Sequence, residues 1–498
     1  MISNLSGEIE NAAPRTAAPR RVLVLGGGFT GLRTAFLLHR LGHRVAVVER
    51  EAKLGGMVAT FERNFRGHRF LFDFGPHLFF KEYLEEYRAL VGSDMLTLTD
   101  RFTMCVGGTV LSYPPRPAEM FLKMGPLRSA AYVFDYLAGK ALRPFQPQGP
   151  SSLDESLSRR FGKKLFRDFY EPYIVKCCGL AVGETDIQWA RERENVSGRS
   201  LASNLLNKIR AACSAATRAR LRSSNDPAAS EITAWYPRHG SGQLCDAMAA
   251  GLDGAEIHLE TAVESITLGG GGVRSVSVSK AGRRFSLEAD LVVSTIPLPG
   301  LASLLDPPDI PAREAASSLR YRTVRLVNLI VDKPRALDSL ELFSMDPSHL
   351  FKRVYEPKAM SPEMAPPDMT SLCLEVCCTA GDAVSNMGEE EIASSCVASL
   401  CGLGVLDSPA QVLDSFVLNM PWAYPIYHKG FENARSCVLG RIAQIPNLIT
   451  CGRQGIFRYH SMTNEVMETA DSIVRFVESG STKADADNRR SPWGQSFY

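Results

Sequence analysis

The stretch RVLVLGGGFTGLRTAFLLHRLGHRVAVVER, residues 21–50, decides the fold of this 498-residue chain. Val22–Leu25 is a short apolar run of the kind that forms a parallel strand buried on both faces. Helical spacing follows from Thr30 to Leu41, Gly42 is placed to end that helix, and Val45–Val48 is a second apolar strand. The stretch therefore predicts a strand–helix–strand unit with a right-handed crossover.

Three glycines lie between the first strand and the helix. Gly26, Gly28 and Gly31 form the pattern GxGxxG, which permits a tight turn, close approach of a pyrophosphate and close packing of helix on strand. The free N–H groups at the start of the helix would face the phosphates. Glu49 ends the second strand, where an acid meets the hydroxyls of a ribose and repels a 2′-phosphate. These residues predict a site for an unphosphorylated dinucleotide.

The bulk composition excludes several other classes of function. Lys plus Arg (56) nearly equals Asp plus Glu (54), so no net field recruits nucleic acid. The sequence contains neither a metal-spaced His cluster nor a Ser-His-Asp order, and we predict no metal site. The twelve cysteines form no CxxC pair, which indicates reduced, mostly buried thiols and a cytoplasmic protein.

The remaining chain alternates between helical and extended segments. Strands are predicted at Ile257–Leu268, Val273–Val278, Val324–Val331 and Ser371–Cys378, with a helix over Asn464–Val477. This order indicates a cofactor domain assembled from separated segments, with a second domain inserted between them. The predicted ranges are a flexible arm at 1–20, the cofactor domain at 21–80, 236–300 and 430–479, the substrate domain at 81–235 and 301–429, and a flexible tail at 480–498.

Two motifs after the ribose acid carry a family resemblance. LGGMVAT, residues 54–60, supplies a second glycine pair, Gly55–Gly56, and FDFGPHLFF follows at residues 72–80. With these motifs the chain resembles the FAD-dependent amine oxidase and protoporphyrinogen oxidase-like flavoproteins, and it is also similar to UDP-galactopyranose mutases. In that superfamily the second pair lies against the cofactor phosphates, often after an arginine, where this chain has Lys53.

Three further segments extend the resemblance over most of the chain. RRFGKKLFRDFYEPYIVKCCGL, from Arg159, resembles a family helix, although Cys177–Cys178 replaces its tryptophan. WYPRHGSGQL, residues 235–244, resembles the turn that leads back into the cofactor domain. CGRQGIFRYHSMTNEVMETA, from Cys451, is similar to the closing flavin motif, whose helix start points at the flavin pyrimidine.

The resemblance implies an α/β fold, with a Rossmann-like FAD-binding domain of the glutathione reductase type and an inserted α+β substrate domain. It implies FAD held non-covalently. The implied cofactor residues are Gly26, Gly28, Gly31, Glu49, Gly55, Gly56, Gly75, Pro76, Val263, Ser294, Thr295, Gly452, Arg453, Met462 and Thr463.

Four residues are candidates for contact with the substrate. His77 is either a proton donor beside the flavin or, more simply, a residue fixed by backbone bonds. Tyr424 occupies the place of a tyrosine that lines the sugar-nucleotide site of the mutases, and core packing is the alternative. Arg458 and Tyr459 closely follow the flavin motif and project either into the cavity or into the core.

The function implied is the two-electron oxidation of a small or apolar organic substrate, with hydride passing to flavin N5. The alternative is a mutase in which reduced flavin attacks a sugar nucleotide without net redox change. The expected partner is a small molecule, and the sequence leaves the oligomeric state open. The stretch Met120–Arg143 combines basic and apolar residues, a composition compatible with contact with a membrane surface. Packing on a neighbouring helix is the preferred interpretation.

Overall fold

The structure is a computed structural model that describes residues 18–142, 152–197, 232–459 and 463–480. The predicted arm at 1–20 lies outside these residues except for 18–20, and the predicted tail at 480–498 lies outside them except for Gly480. Met462, predicted to contact the cofactor, also lies outside the described residues.

The strands form three larger sheets and two separate pairs. In chain order they are β1 Arg21–Leu25, β2 Arg44–Val48, β3 Thr60–Phe65, β4 His68–Asp73, β5 Met95–Asp100, β6 Phe102–Val106, β7 Thr109–Tyr113, β8 Ile232–Pro237, β9 Glu256–His258, β10 Thr261–Gly269, β11 Gly272–Lys280, β12 Arg283–Leu287, β13 Leu291–Ser294, β14 Leu305–Asp306, β15 Tyr321–Val331, β16 Glu341–Ser344, β17 Arg353–Tyr355, β18 Thr370–Cys378, β19 Val412–Pro425 and β20 Leu448–Thr450.

The helices cover these sheets. They are α1 Phe29–Arg40, α2 Leu84–Val91, α3 Pro117–Met124, α4 Pro126–Leu142, α5 Leu153–Phe161, α6 Lys163–Leu165, α7 Glu171–Cys178, α8 Gln188–Ser197, α9 Gly242–Ala250, α10 Leu298–Leu304, α11 Ile310–Ala316, α12 Pro357–Met360, α13 Glu389–Gly402, α14 Phe431–Ala443, α15 Gly452–Gly455 and α16 Thr463–Glu478.

A five-stranded parallel sheet contains the predicted strand–helix–strand unit. Its order is β20-β13-β1-β2-β9, so β1 lies at the centre and α1 connects it to the adjacent β2. Along β1, Val22 and Val24 pack in one apolar cluster while Leu23 and Leu25 pack in another. The strand is thus buried on both faces, as predicted, because helices and loops cover both sides of the sheet.

The second sheet, of order β12-β11-β10-β14, corrects one prediction. Ile257–Leu268 was predicted as one extended segment, but the structure divides it between β9 in the parallel sheet and β10 in the second sheet. The break falls at Glu260, whose φ of 54° turns the chain out of the strand direction. Val273–Val278 lies within β11 and pairs antiparallel with β10, as the alternation of its residues predicted.

A seven-stranded sheet forms the second half of the molecule, in the order β19-β15-β18-β17-β16-β6-β7. The predicted strands Val324–Val331 and Ser371–Cys378 lie in β15 and β18, which pair antiparallel. A solvated surface is the default expectation for arginines that alternate near the start of a strand, as Arg320, Arg322 and Arg325 do in the sequence. Arg320 is exposed as expected, but Arg322 and Arg325 are buried. Each donates to backbone carbonyls, Arg322 to that of Cys377 at 2.9 Å, and these bonds compensate for much of the cost of burying the two guanidinium groups.

The two sheets draw on different parts of the chain. All five parallel strands come from 21–80, 236–300 and 430–479, and all seven strands of the larger sheet come from 81–235 and 301–429. The division of these ranges into two domains stays a prediction.

Candidate active site

The loop after β1 has the geometry that the GxGxxG pattern requires. Gly26 has a φ of 100° and donates its N–H to the carbonyl of Val48 at 2.8 Å. A side chain at Gly31 would place its Cβ 2.1 Å from the carbonyl oxygen of Gly26, so only glycine lets α1 pack this closely on β1. By contrast, a Cβ at Gly28 would meet nothing within 4 Å. Gly28 therefore leaves open space in front of the helix start, where a phosphate would be bound.

Glu49 holds the far side of the same loop. Its carboxylate accepts the N–H of Gly27 at 2.7 Å and that of Glu51 at 2.9 Å. Its backbone carbonyl accepts the N–H of Thr261, the first residue of β10, at 2.9 Å. Val263 follows two residues later, half-buried. The predicted ribose acid and the predicted adenine-contacting residue are thus joined through the start of β10.

The second glycine pair docks on the first loop. Gly55 donates its N–H to the carbonyl of Gly27 at 2.8 Å, and Gly55 and Gly28 form an isolated parallel bridge. A Cβ at Gly56 would lie 3.0 Å from Cα of Gly28. Lys53, which stands where relatives often have arginine, instead bonds the carbonyl of Thr60 and the carboxylate of Asp246. Lys53 is therefore engaged with β3 and α9 rather than with the glycine loop.

Ser294 and Thr295 lie at the end of β13 and hold two other segments in place. The Thr295 hydroxyl lies 3.2 Å from the carbonyl oxygens of both Leu25 and Gly26. The carbonyl of Ser294 accepts the N–H of Cys451 at 2.9 Å. Thr295 thus fixes the phosphate loop, and Ser294 fixes the segment that carries the closing flavin motif.

The two ends of the cofactor motif meet in the structure. A Cβ on Gly452 would lie 3.2 Å from the hydroxyl of Thr30, in the first turn of α1. Helix α16 packs along α1, and the buried Arg33 binds Asp471 of α16 and Glu86 of α2, each at 2.7 Å. Regions separated by more than 400 residues therefore form one site.

Thr463 and the segment Gly75–His77 lie on one side of this site. The Thr463 hydroxyl donates to the carbonyl of Leu78 at 3.1 Å, which joins the start of α16 to the residue after His77. Asp73, at the end of β4, fixes the start of this segment. Its buried carboxylate accepts the Thr60 and Tyr236 hydroxyls, each at 2.5 Å. The Gly75–His77 backbone is therefore held between β4 and α16.

His77 is neutral at physiological pH. Burial, together with the nearby charges of Arg453 and Arg353, lowers its pKa to about 4 against the opposing charge of Glu375. Its Nδ1 atom is buried and makes no well-aligned hydrogen bond with any residue that the structure describes, although the backbone of Gly75 lies close enough to the ring to act on its pKa. A buried polar atom without a partner is uncommon in a folded protein, and it indicates that a ligand or water completes this bond.

A charged cluster on the seven-stranded sheet lies beside His77. Lys352 binds one oxygen of Glu375 at 2.7 Å, and Arg353 binds the other. Arg353 also binds Glu341 at 2.9 Å. Burial opposes the ionisation of Glu375, but the charges of Arg353 and Lys352 outweigh it and lower the pKa to about 2. A Cβ on Gly75 would lie 3.7 Å from Glu375 Oε1, so the cluster borders the His77 segment directly.

The sequence predictions did not include this cluster. Its members come from β16, β17 and β18 and from the residue before β17, and the seven-stranded sheet brings them together. One signal was present: Glu375 is a lone carboxylate in the otherwise uncharged strand TSLCLEVCC. Because buried carboxylates require a partner, such a residue predicts a buried cation elsewhere.

Tyr424 links the cluster to the closing flavin motif. Its hydroxyl accepts from Lys352 at 2.9 Å, and its ring stacks on Tyr459 at 4.9 Å between centroids. The guanidinium of Arg453 lies 5.4 Å from the same ring. The predicted residues Tyr424, Tyr459 and Arg453 are therefore neighbours.

Arg458 has a different environment from the residue that follows it. Its guanidinium lies 3.4 Å from the carboxylate of Glu192, which also accepts the Tyr427 hydroxyl and the backbone N–H of Tyr459. The structure thus gives Arg458 an ion pair with α8, while the ring of Tyr459 lies against Tyr424.

Taken together, these residues fit a flavin dinucleotide. The backbone-held carboxylate of Glu49, the open space at Gly28 and the buried Nδ1 of His77 suit the ribose, the pyrophosphate and the ring end of such a ligand, respectively. Within the described ranges, no group of three or more His, Cys, Asp or Glu side chains could hold a metal ion. In the same ranges, no helix has the length and apolarity to cross a membrane.

Comparison with known proteins agrees with this geometry. Residues 29–437 match the family described as flavin containing amine oxidoreductase. An L-amino acid oxidase of Cerastes cerastes is 30% identical over 84 residues, and this match covers only 16% of either chain.

Two solved structures resemble the whole fold. Reduced UDP-galactopyranose mutase has a TM-score of 0.76 at 17% identity, and the match covers 94% of this chain and 98% of the mutase. An Exiguobacterium protein assigned as a protoporphyrinogen oxidase has a TM-score of 0.68 at 18% identity, covering 93% and 100%. At these identities the likeness establishes a shared α/β fold of the FAD-binding amine oxidase type. The cofactor is FAD, and the chain belongs to the flavin containing amine oxidoreductase family.

Proposed function

We propose that this protein is an FAD-dependent oxidoreductase that removes two electrons from a small or apolar organic substrate. FAD, when bound, supplies the acceptor for a hydride at N5. The residues of the chain bind the cofactor, orient the substrate and set the charge around it. Family membership supports the reaction class, and the cluster beside His77 supports the mechanism.

The proposed cofactor contacts follow the long axis of the site. Glu49 and Val263 would hold the adenosine end, and the backbone of Gly26, Gly28, Gly55 and Gly56 would surround the pyrophosphate, with Ser294 and Thr295 fixing that backbone. Gly75, Pro76, His77, Gly452, Arg453 and Thr463 would border the ring end. The parallel sheet joined to the β10–β12 sheet supports our inference of a glutathione reductase-type fold.

Non-covalent binding is part of the proposal. Cys451 is the cysteine next to Gly452, and burial raises the pKa of its thiol to about 12. A protonated, buried thiol is a poor nucleophile toward a flavin. Every cysteine that the structure describes is free, which suits the reducing cytoplasm that we infer as the location.

The observation that carries the mechanism is that His77 is neutral and that the carboxylates beside it are held in ion pairs, with Arg453 as a further positive charge nearby. His77 has a pKa of about 4 and is a weak base. Glu375 is ionised, but Lys352 and Arg353 occupy its oxygens. Burial disfavours the charged form of Lys352, yet Glu375 outweighs it and raises the pKa of the ammonium, so Lys352 is charged and donates to Tyr424. Transfer of a hydride needs no dedicated base, and this arrangement supports it.

A sugar-nucleotide mutase is less well supported. Recognition of a diphosphate calls for an excess of positive charge. In the cluster, the charges of Lys352 and Arg353 are balanced by Glu375 and Glu341. The likeness to the mutase structure is one of fold, and the family match is to oxidoreductases.

The decisive experiment is anaerobic mixing of the purified flavoprotein with candidate substrates, beginning with primary amines and L-amino acids. Loss of the oxidised flavin absorbance, with a product two hydrogen atoms lighter, would support the proposal. UDP-galactopyranose with dithionite provides the opposing test. An isomeric product formed only after this reduction would replace the oxidoreductase by a mutase.

The cofactor site has its own test, with a matched pair of variants. Glu49→Gln should weaken FAD binding by about tenfold, because it loses a charged acceptor for the ribose hydroxyls. Glu51→Gln changes a neighbouring exposed carboxylate whose backbone N–H still supports Glu49, and it should bind FAD like the wild type. Equal dissociation constants for the two variants, measured by fluorescence titration, would contradict the assignment of Glu49.

A further inference from the structure

Helices α3 and α4 form an outward-facing apolar surface on the substrate half of the molecule. Its large side chains are strongly exposed: Leu122 is 87% exposed, Leu127 is 88% exposed and Phe134 is 75% exposed. Phe121, Val133 and Leu137 are also exposed. We call these six residues the apolar patch. Exposed apolar residues occur singly on most surfaces, but six on two adjacent helices call for an explanation.

The spacing along α4 shows that the patch is a continuous stripe. Leu127, Ala130, Phe134, Leu137 and Ala141 are all exposed and follow one another at intervals of three or four residues. Residues at this spacing lie on one face of a helix. The apolar face of α4 therefore points away from the protein, the reverse of the arrangement in an ordinary surface helix.

The opposite face of α4 attaches the helix to the protein. Tyr132 is buried, donates to Asp168 at 2.7 Å and packs edge-on against Phe169. The carboxylate of Asp135 accepts the backbone N–H of Lys164 at 2.8 Å. These contacts fix the orientation of the helix, so the exposure of Leu127 and Phe134 is a feature of the packed structure.

The charges around the patch have one sign. Between Pro117 and Ala141, all of which the structure describes, the exposed charged residues are Lys123, Arg128 and Lys140. Of the two acids of this segment, Glu119 is half-buried and pairs with Lys123 at 2.9 Å, and Asp135 is half-buried and accepts the backbone N–H of Lys164. This leaves Arg128 and Lys140 as the exposed cations that no acid of the segment neutralises. A helix surface with bulky apolar side chains and flanking cations is the composition that inserts into the headgroup region of an anionic bilayer.

We propose that α3 and α4 dock this protein on the surface of an anionic membrane, with the apolar patch inserted among the headgroups and with Arg128 and Lys140 facing lipid phosphates. The apolar stripe supplies the hydrophobic contact, and the positive charges beside it favour anionic lipid. The contact is peripheral and is independent of the oxidoreductase reaction, because the patch shares no residue with the cofactor site.

The test is flotation of the FAD-loaded protein with vesicles of phosphatidylcholine alone or with one quarter phosphatidylglycerol. The protein should float with the anionic vesicles and bind the neutral ones much more weakly. The triple variant Leu127→Ser, Phe134→Ser, Leu137→Ser should bind at least about tenfold more weakly, because it loses most of the inserted apolar surface. Lys140→Glu should weaken binding by about fivefold or more.

The matched control changes exposed apolar residues elsewhere. Ile310→Ser with Phe285→Ser removes two such side chains on α11 and β12 and should bind vesicles like the wild type. An unchanged flavin spectrum in all variants establishes that they are folded. Failure of the wild type to float, or equal binding by the triple and control variants, would overturn the proposal. A dimer in sedimentation velocity that only the triple variant abolishes, without vesicle binding, would assign the patch to a second copy of this chain instead.

Discussion

The phosphate loop and the charged cluster beside His77 are the two halves of one site, and they are built in opposite ways. In our proposal the loop binds through main-chain groups: glycines at 26, 28 and 31 would bring N–H groups and a helix start to the ligand, with Glu49 holding Gly27. The cluster consists of side-chain charges buried in a sheet, with Lys352 and Arg353 forming ion pairs with Glu375. The loop therefore tolerates little added volume, whereas the cluster tolerates little change in charge.

The largest expected effect concerns charge. Glu375→Gln leaves the buried Lys352 and Arg353 without their shared carboxylate, and we expect it to lower the free energy of unfolding by about 3–5 kcal/mol. Urea unfolding followed by circular dichroism measures this. Glu62→Gln is the matched control: it breaks a 2.6 Å pair with Arg69 that is exposed on both sides, and it should change the free energy of unfolding far less than Glu375→Gln. Similar losses in the two variants would show that burial does not govern the cluster.

The second prediction concerns volume in the loop. Gly31→Ala places a Cβ 2.1 Å from the carbonyl oxygen of Gly26, and we expect a loss of about 1–3 kcal/mol in stability together with reduced FAD content. Gly28→Ala meets no protein atom within 4 Å and should change the stability of the apoprotein by less than about 0.5 kcal/mol.

Gly28→Ala should nevertheless weaken FAD binding by about tenfold or more, because its methyl group fills the space through which the backbone approaches the pyrophosphate. Thermal unfolding of the apoproteins and FAD titration separate the two effects. Full FAD affinity in Gly28→Ala would place the phosphates elsewhere.

The pH dependence of stability provides a third test. It concerns His77, which lies between the phosphate loop and the charged cluster. Because the pKa of His77 is lowered from 6.5 to about 4, the unfolded chain takes up this proton before the folded one as the pH falls. The contribution of the neutral imidazole is complete above about pH 6.5 and is lost as the pH approaches 4. Glu375, whose pKa is about 2, stays ionised throughout this window.

Between pH 7 and pH 4, we therefore expect the free energy of unfolding of the wild type to fall by about 2–3 kcal/mol more than that of His77→Gln. Urea unfolding at four pH values measures this difference. If the wild type and His77→Gln differ in unfolding free energy by the same amount at every pH, then His77 titrates normally and its surroundings are more hydrated than the structure indicates.

The contrast between the two halves also explains what the sequence could predict. The loop is local: its strand, glycines, helix and ribose acid lie within residues 21–50, and each constrains the backbone, so the pattern predicted the geometry. Thr463, near the end of the chain, was found through its resemblance to a known motif. The cluster has no local pattern. Together with Tyr424, its residues lie on or beside the strands β16, β17, β18 and β19, which are separated in the sequence and come together only in the seven-stranded sheet.

The same reasoning accounts for the errors. Arg322 and Arg325 alternate with apolar residues, and periodicity alone could not show that the β18 backbone and the loop after it supply acceptors for their guanidinium groups. The range Ile257–Leu268 forms two strands instead of the predicted one, because Glu260 adopts a positive φ. The apolar stripe of α4 was visible as a pattern, but the direction in which it faces depends on Tyr132 and Asp135 binding the opposite side.

The smallest expected effect tests the link between the two halves. Tyr424→Phe removes the hydroxyl that accepts from Lys352 at 2.9 Å but keeps the stack on Tyr459. We expect a loss of about 1 kcal/mol, because Lys352 retains its bond to Glu375 and its position 4.2 Å from the ring centre. A double-mutant cycle with Lys352→Met should give a coupling energy of the same size.

The activity of Tyr424→Phe then separates packing from contact with the substrate. If Tyr424 only supports the cluster, kcat/KM should fall by no more than about twofold, since the ring and the charged ammonium remain in place. A rise in KM of about tenfold with an unchanged coupling energy would instead mean that the hydroxyl binds substrate directly. Either result is informative about the cavity, because Tyr424 is the residue that contacts both Lys352 of the cluster and Tyr459 of the closing flavin motif.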